Sequence, residues 1–100
     1  MLVHVVCLQW SEGTTAQQLA HVVDGLGRLP ALIPSIRAYR FGADVGLAPG
    51  NYDFAIVAEF DDADGYLACN GHPEHQAVIV ERIRPILAGR TAVQFRSDAV

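Results

Sequence analysis

Residues 2–10 (Leu-Val-His-Val-Val-Cys-Leu-Gln-Trp) read as a β-strand. Val3, Val5 and Cys7 fall on one face and Leu2, His4, Val6, Leu8 and Trp10 on the other. Both faces are apolar, which predicts a central strand covered on both sides. Ser11-Glu12-Gly13 is a turn, and Thr14 or Thr15, each with a Gln three positions on, can open a helix through a capping box. Leu19, Val22, Val23 and Leu26 then form one apolar stripe, and Gly27 and Pro30 are expected to end the helix. His21 lies off the stripe and is expected to face solvent. Pro30 and Pro34 bracket a loop; residues 36–41 alternate as a second strand. Residues 42–50 make a turn-rich connection, and residues 52–60 form a third strand with Tyr52, Phe54, Ile56, Ala58 and Phe60 on one face.

The stretch from Phe60 to His75 reads as two helical pieces meeting at a corner. Asp61 or Asp62 can cap the first, whose opening turn holds Asp64, the sign that the helix dipole favours there. Asn70-Gly71 is a stop that tolerates a left-handed backbone, and His72-Pro73 starts the next helix, placing His75 in its first turn. Val78, Ile79 and Ile83 supply the apolar side of that helix, Pro85 closes it, and residues 90–96 form the last strand.

The order strand, helix, strand, strand, helix, strand predicts an α+β fold of ferredoxin-like type. Four antiparallel strands would carry two helices on one face. On that reading Val6, Leu8, Ala55 and Val57 lie on the uncovered face. An apolar patch of that kind predicts a homodimer in which two sheets pack into an α/β barrel.

Composition narrows the picture. One hundred residues fit a single domain over 1–100, and 51% hydrophobic with 18% charged residues excludes a disordered chain. No run is long enough to span a bilayer and no leader pattern opens the chain, so a cytoplasmic protein without membrane contact is expected. A net charge of −4, with arginines scattered singly, argues against nucleic acid. Cys7 and Cys69 are read as reduced, buried thiols.

Candidate chemistry gathers in the corner. Histidine suits general-base work near neutral pH, so His75 is a candidate base; the plain alternative is a helix-end residue bonded to backbone. His72 suits a capping role. His72 and His75 lack an evident third partner for a metal, so no metal or other cofactor is expected. Cys69 sits near a helix C-terminus, where the dipole disfavours a thiolate nucleophile. Gly25-x-Gly27 lacks the strand and third glycine of a dinucleotide site. Tyr39 and Trp10 either line an apolar cavity or belong to the core.

The strand opening on His4, the Asn51-to-Phe60 strand, His72-Pro-Glu-His75, Arg82-Ile-Arg-Pro-Ile-Leu87 and Arg90-to-Phe95 together resemble the stress-responsive dimeric α/β-barrel (Dabb) family. The resemblance implies a homodimer whose sheets enclose a cavity, with members ranging from stress proteins to plant polyketide cyclases. In the cyclases the second motif histidine is the general base, which here is His75, and the first-strand histidine, here His4, lines the cavity. Cys69 stands where relatives carry a tyrosine, with Tyr66 one turn earlier; Gln94 stands where the cyclases carry an aspartate that orients the base. The expected function is binding of a small apolar or aromatic molecule by His4, Val6, Leu8, Trp10, Tyr39, His72 and Gln94. The alternatives are a cyclase with His75 as base and Tyr66 or Tyr39 stabilising an enolate, or a structural oligomer without chemistry.

Overall fold

The computed structural model describes residues 1–97. Strand β1 is Leu2–Trp10, helix α1 is Ala16–Leu32, β2 is Ala38–Ala43, β3 is Phe54–Phe60, α2 is Ala63–Asn70, α3 is Pro73–Val78 and β4 is Leu87–Arg96. The antiparallel sheet has the order β2-β3-β1-β4, the ferredoxin-like arrangement. Three helices, rather than two, cover one face. The corner gives separate α2 and α3, and the chain then runs through a π-helical turn (Ile79–Ile83) and a 3-10 turn (Arg84–Ile86) into β4. Pro85 lacks the N–H that an α-helix needs at its position, so regular winding gives way before it.

Helix α1 begins with the capping box of Thr15 and Gln18: the Thr15 hydroxyl accepts from Gln18 N–H and the Gln18 side chain accepts from Thr15 N–H. It does not stop at Gly27 or Pro30. Pro30 lies in its last turn, and Leu29 and Ile33, both almost fully buried, hold the chain helical past it. Each such burial contributes about 1.5–3 kcal/mol, enough to offset one missing hydrogen bond. Val23 is 43% exposed and drops out of the stripe, which runs through Val22, Leu26 and Leu29. The second strand begins at Ala38 instead of Ile36, which is buried; the third begins at Phe54, leaving Tyr52 in the connection; the fourth starts earlier, at Leu87.

The sheet turns Val6 and Leu8 to the opposite face from the one expected of them. Leu2, Val6, Leu8, Phe54, Ile56, Ala58 and Phe60 are buried beneath the helices in a single core. Val6 and Leu8 therefore belong to the covered face. The register sets Val5 opposite Val57 and Cys7 opposite Ala55, so these four, half-buried, occupy the open face. A strand apolar on both sides gives periodicity no means of choosing between them. On β4, Val93 stands opposite Val5 and Phe95 opposite Val3, and they are 56% and 48% exposed. The edge strand thus turns its apolar side outward and its polar side, Arg90, Gln94 and Arg96, toward the helices.

Candidate functional site

The corner holds its shape through local bonds. Asp62 caps α2 by accepting from Gly65 N–H, and Asp64 follows in the first turn. The helix stops at Asn70, but Gly71 has φ −88°, so the left-handed turn expected there is absent. The His72 Nδ1 accepts from Glu74 N–H at 3.1 Å and caps α3, with Pro73 in the first helical position. That bond occupies His72 as a structural residue, and it is not part of the cavity wall.

Between the helices and the covered face lies a cavity of about 200 Å3. It sits within one chain rather than between two sheets. Its wall brings together six of the sequence candidates: His4, Tyr39, Tyr66 and His75 over an apolar floor that includes Val6 and Leu8. Trp10 is elsewhere: past the β-bulge at Gln9/Trp10 it packs on Phe54, ring centroids 5.6 Å apart, beside an outer groove. Gln94 is also outside the wall. It stands opposite His4 in the β1–β4 register, and its Nε2 lies 2.7 Å from His4 Nδ1, so it supports His4 instead of His75.

Each polar group is tuned by its surroundings. Burial lowers the His75 pKa; the charges of His72 and Arg90 act the same way, and the Asn70 backbone opposes them. The buried His75 Nδ1 makes no well-formed hydrogen bond, and the Asn70 carbonyl oxygen already accepts from Gln76 Nε2 at 2.6 Å. Burial also lowers the His4 pKa, aided by the Arg90 and His75 charges. The Tyr39 phenol is pushed well above its ordinary value by burial and then by Cys69, so it is a permanent O–H donor. Tyr66 packs its ring on His4 at 4.9 Å and edge-on to Phe60 at 5.9 Å. Burial raises the Cys69 thiol, consistent with an inert role. Chemically, the set is two neutral imidazoles and two phenols around an apolar space: bases and donors, with no carboxylate from the described residues in the wall.

Sequence reasoning passed over Ile79, Ile83, Arg84 and Arg90, which also line the cavity. For Arg90 a signal existed in the alternation Arg90, Gln94, Arg96 against Thr91, Val93, Phe95, which is amphipathic in the reverse sense for an edge strand. Among the described residues no three His, Cys, Asp or Glu side chains come together as a metal site, and no helix is long and apolar enough to cross a membrane.

A ferredoxin-like α+β domain with a histidine-bearing cavity under its helices is the class that these features define. The stress responsive A/B barrel domain (Dabb) family matches residues 2–97, and the chain belongs to that family. A dimeric ferredoxin-like protein of unknown function from Thermobifida fusca is 47% identical, with a TM-score of 0.87 over 94% of this chain and 88% of that one. A Dabb family protein from Mesorhizobium loti is 17% identical, with a TM-score of 0.81 over 98% and 97%. The hydroxynitrile lyase of Passiflora edulis is 14% identical, with a TM-score of 0.82 over 94% and 90%. The last two likenesses show the fold. No curated protein matches the sequence significantly.

Proposed function

We propose that this chain is a homodimeric Dabb protein that binds a small, largely apolar or aromatic molecule in the cavity between its helices and its sheet. The observation that carries the reading is the convergence of His4 and His75 on one apolar cavity, both with lowered pKa. Polar groups retained against the cost of burial in an apolar wall are the pattern of a ligand site. A purely structural core would fill that space with aliphatic side chains. The dimer is supported by the open face of Val5, Cys7, Ala55, Val57, Val93 and Phe95 and by the dimeric relative from Thermobifida fusca. Native mass spectrometry of the protein from its own host reads both properties at once. A dimer carrying a bound small molecule is expected; a ligand-free protein that also leaves the His75 NMR signals unmoved when acetophenone is added would overturn the binding reading.

A second reading is favoured by one observation, the lowered His75 pKa, which keeps the ring unprotonated at neutral pH. Such a base would remove a proton alpha to a carbonyl, with the enolate oxygen held by the Tyr39, Tyr66 or His4 donors, and intramolecular aldol or Claisen closure would follow. The Passiflora edulis hydroxynitrile lyase is an enzyme on a similar fold. Against it, the influences on His75 include no carboxylate, and Gln94 serves His4. Binding therefore stands ahead of catalysis. Product formation from a linear poly-β-keto thioester, compared between wild type and His75→Ala, decides between them.

A further inference from the structure

The cavity's charge pattern says what kind of molecule it takes. The chain has eleven acidic residues and a net charge of −4, yet among the described residues not one carboxylate lines the cavity. Two of the seven arginines do, Arg84 and Arg90, both exposed where the cavity meets solvent. Arg28, Arg37 and Arg82 are each paired with an aspartate. Among the described residues the side chains of Arg84 and Arg90 make no hydrogen bond or ion pair.

Arg90 is the better placed of the two. It stands opposite Leu8 in the β1–β4 register, and Leu8 faces the helices, so the register turns Arg90 toward the same side. Its charge acts on both His4 and His75. Arginine presents a planar fork of donors that matches a carboxylate in two parallel hydrogen bonds. A cationic ligand would meet a guanidinium and two imidazoles, with no anion among the described residues to receive it. A neutral ligand would leave the guanidinium to water and gain nothing from its charge.

We propose, resting on the binding reading above, that the cavity selects an organic carboxylate: an apolar or aromatic body inside, with its carboxylate against Arg90 and in reach of the His4 and His75 rings. Arg90 is then the residue that determines specificity, and the apolar floor beneath it sets the size of the body.

The test compares three probes of one shape at pH 7.5 by calorimetry on the intact protein: 3-phenylpropanoate, its amide 3-phenylpropanamide, and the cation 3-phenylpropylammonium. The carboxylate is expected to bind at least tenfold tighter than the amide, with the ammonium weakest. It should also raise the His4 and His75 pKa values in an NMR titration, while the amide leaves them in place, because only an anion favours the imidazolium. Arg90→Gln should bring the carboxylate and amide affinities within about twofold of each other, Arg90→Lys should keep much of the preference, and Arg84→Gln should change the ratio less than Arg90→Gln. Equal binding of carboxylate and amide by the wild type, or preference for the ammonium, leaves the binding reading standing and overturns this one. If none of the three binds, this inference falls, and the binding reading is decided separately by native mass spectrometry and the acetophenone titration. The wild-type comparison decides the matter even if an Arg90 variant fails to fold.

Discussion

Gln94 Nε2 sits 2.7 Å from His4 Nδ1, across the β1–β4 pair. An amide nitrogen has only hydrogens to offer, so the ring nitrogen accepts and the His4 proton resides on Nε2. Burial, with the Arg90 and His75 charges, opposes charging the ring. His4 is thereby fixed as a neutral donor, while His75, without such a partner, remains the ring available as a base. The two histidines are given different roles by one glutamine.

Gln94→Glu should undo that assignment. A carboxylate beside Nδ1 favours the imidazolium and draws the proton to Nδ1. The His4 pKa is expected to rise by at least one unit while His75 moves much less, read by NMR titration of the ring protons. A larger rise at His75 than at His4 would return Gln94 to the role of supporting the base.

Acid stability should report both cavity histidines. Their folded pKa values lie below the ordinary value of about 6.5. Between the folded and unfolded pKa the unfolded chain binds more protons, so stability rises with pH across that window and is lost as pH falls below about 6.5. The melting temperature should drop between pH 7 and pH 5, and His75→Gln should flatten the drop. An unchanged slope in that variant would mean that His75 titrates as freely in the fold as outside it.

Much of this was legible in the chain because local rules and tertiary packing agree. Thr15 with Gln18, Asp62, Asn70-Gly71 and His72-Pro73 each place an element boundary through bonds within a few residues, and the structure forms those boundaries. The misreadings share a different cause. Pro30 is a strong local breaker outweighed by the distant packing of Leu29 and Ile33. Val6 and Leu8 cannot be assigned a face in a strand apolar on both sides, and the partner of Gln94 depends on cross-strand register. Trp10 follows alternation until a bulge displaces it. Register and bulges are properties of pairs of strands, which a single strand's pattern does not carry.

The open face predicts how the chain assembles. Val57 stands opposite Val5, with Val93 on the far side of Val5. Val57→Asp would place a carboxylate among them, at a cost on the order of several kcal/mol once a partner sheet excludes water. Light scattering at micromolar concentration should give a dimer for wild type and a monomer for Val57→Asp. The same substitution at Leu8, on the covered face, should unfold the chain instead. A wild-type monomer would remove the barrel.

The cavity roof is held by a close crossing of Arg82 over Gly25. Gly25 is buried on α1, and a Cβ there would come within 2.6 Å of Arg82 Cδ. Arg82 rises from the π-helical turn, crosses α1 at this glycine, and donates from Nη1 to the His21 carbonyl oxygen at 2.8 Å and to Asp24 Oδ2 at 3.3 Å. The glycine is therefore present for closeness rather than for backbone freedom, and the crossing ties α1 to the turn that supplies Ile79 and Ile83 to the cavity. In an ordinary helix Gly→Ala stabilises by roughly 0.5–1 kcal/mol. Here Gly25→Ala must displace a hydrogen-bonded guanidinium, and hydrogen bonds to charged groups are worth about 1.5–3 kcal/mol, so a net loss of about 1 kcal/mol is expected. In an Arg82→Ala background the obstacle is gone, and the same Gly25→Ala change should turn stabilising. Urea denaturation of the four chains measures both steps, and the change of sign between them is the diagnostic. Equal effects in the two backgrounds would show that Arg82 does not restrain this helix.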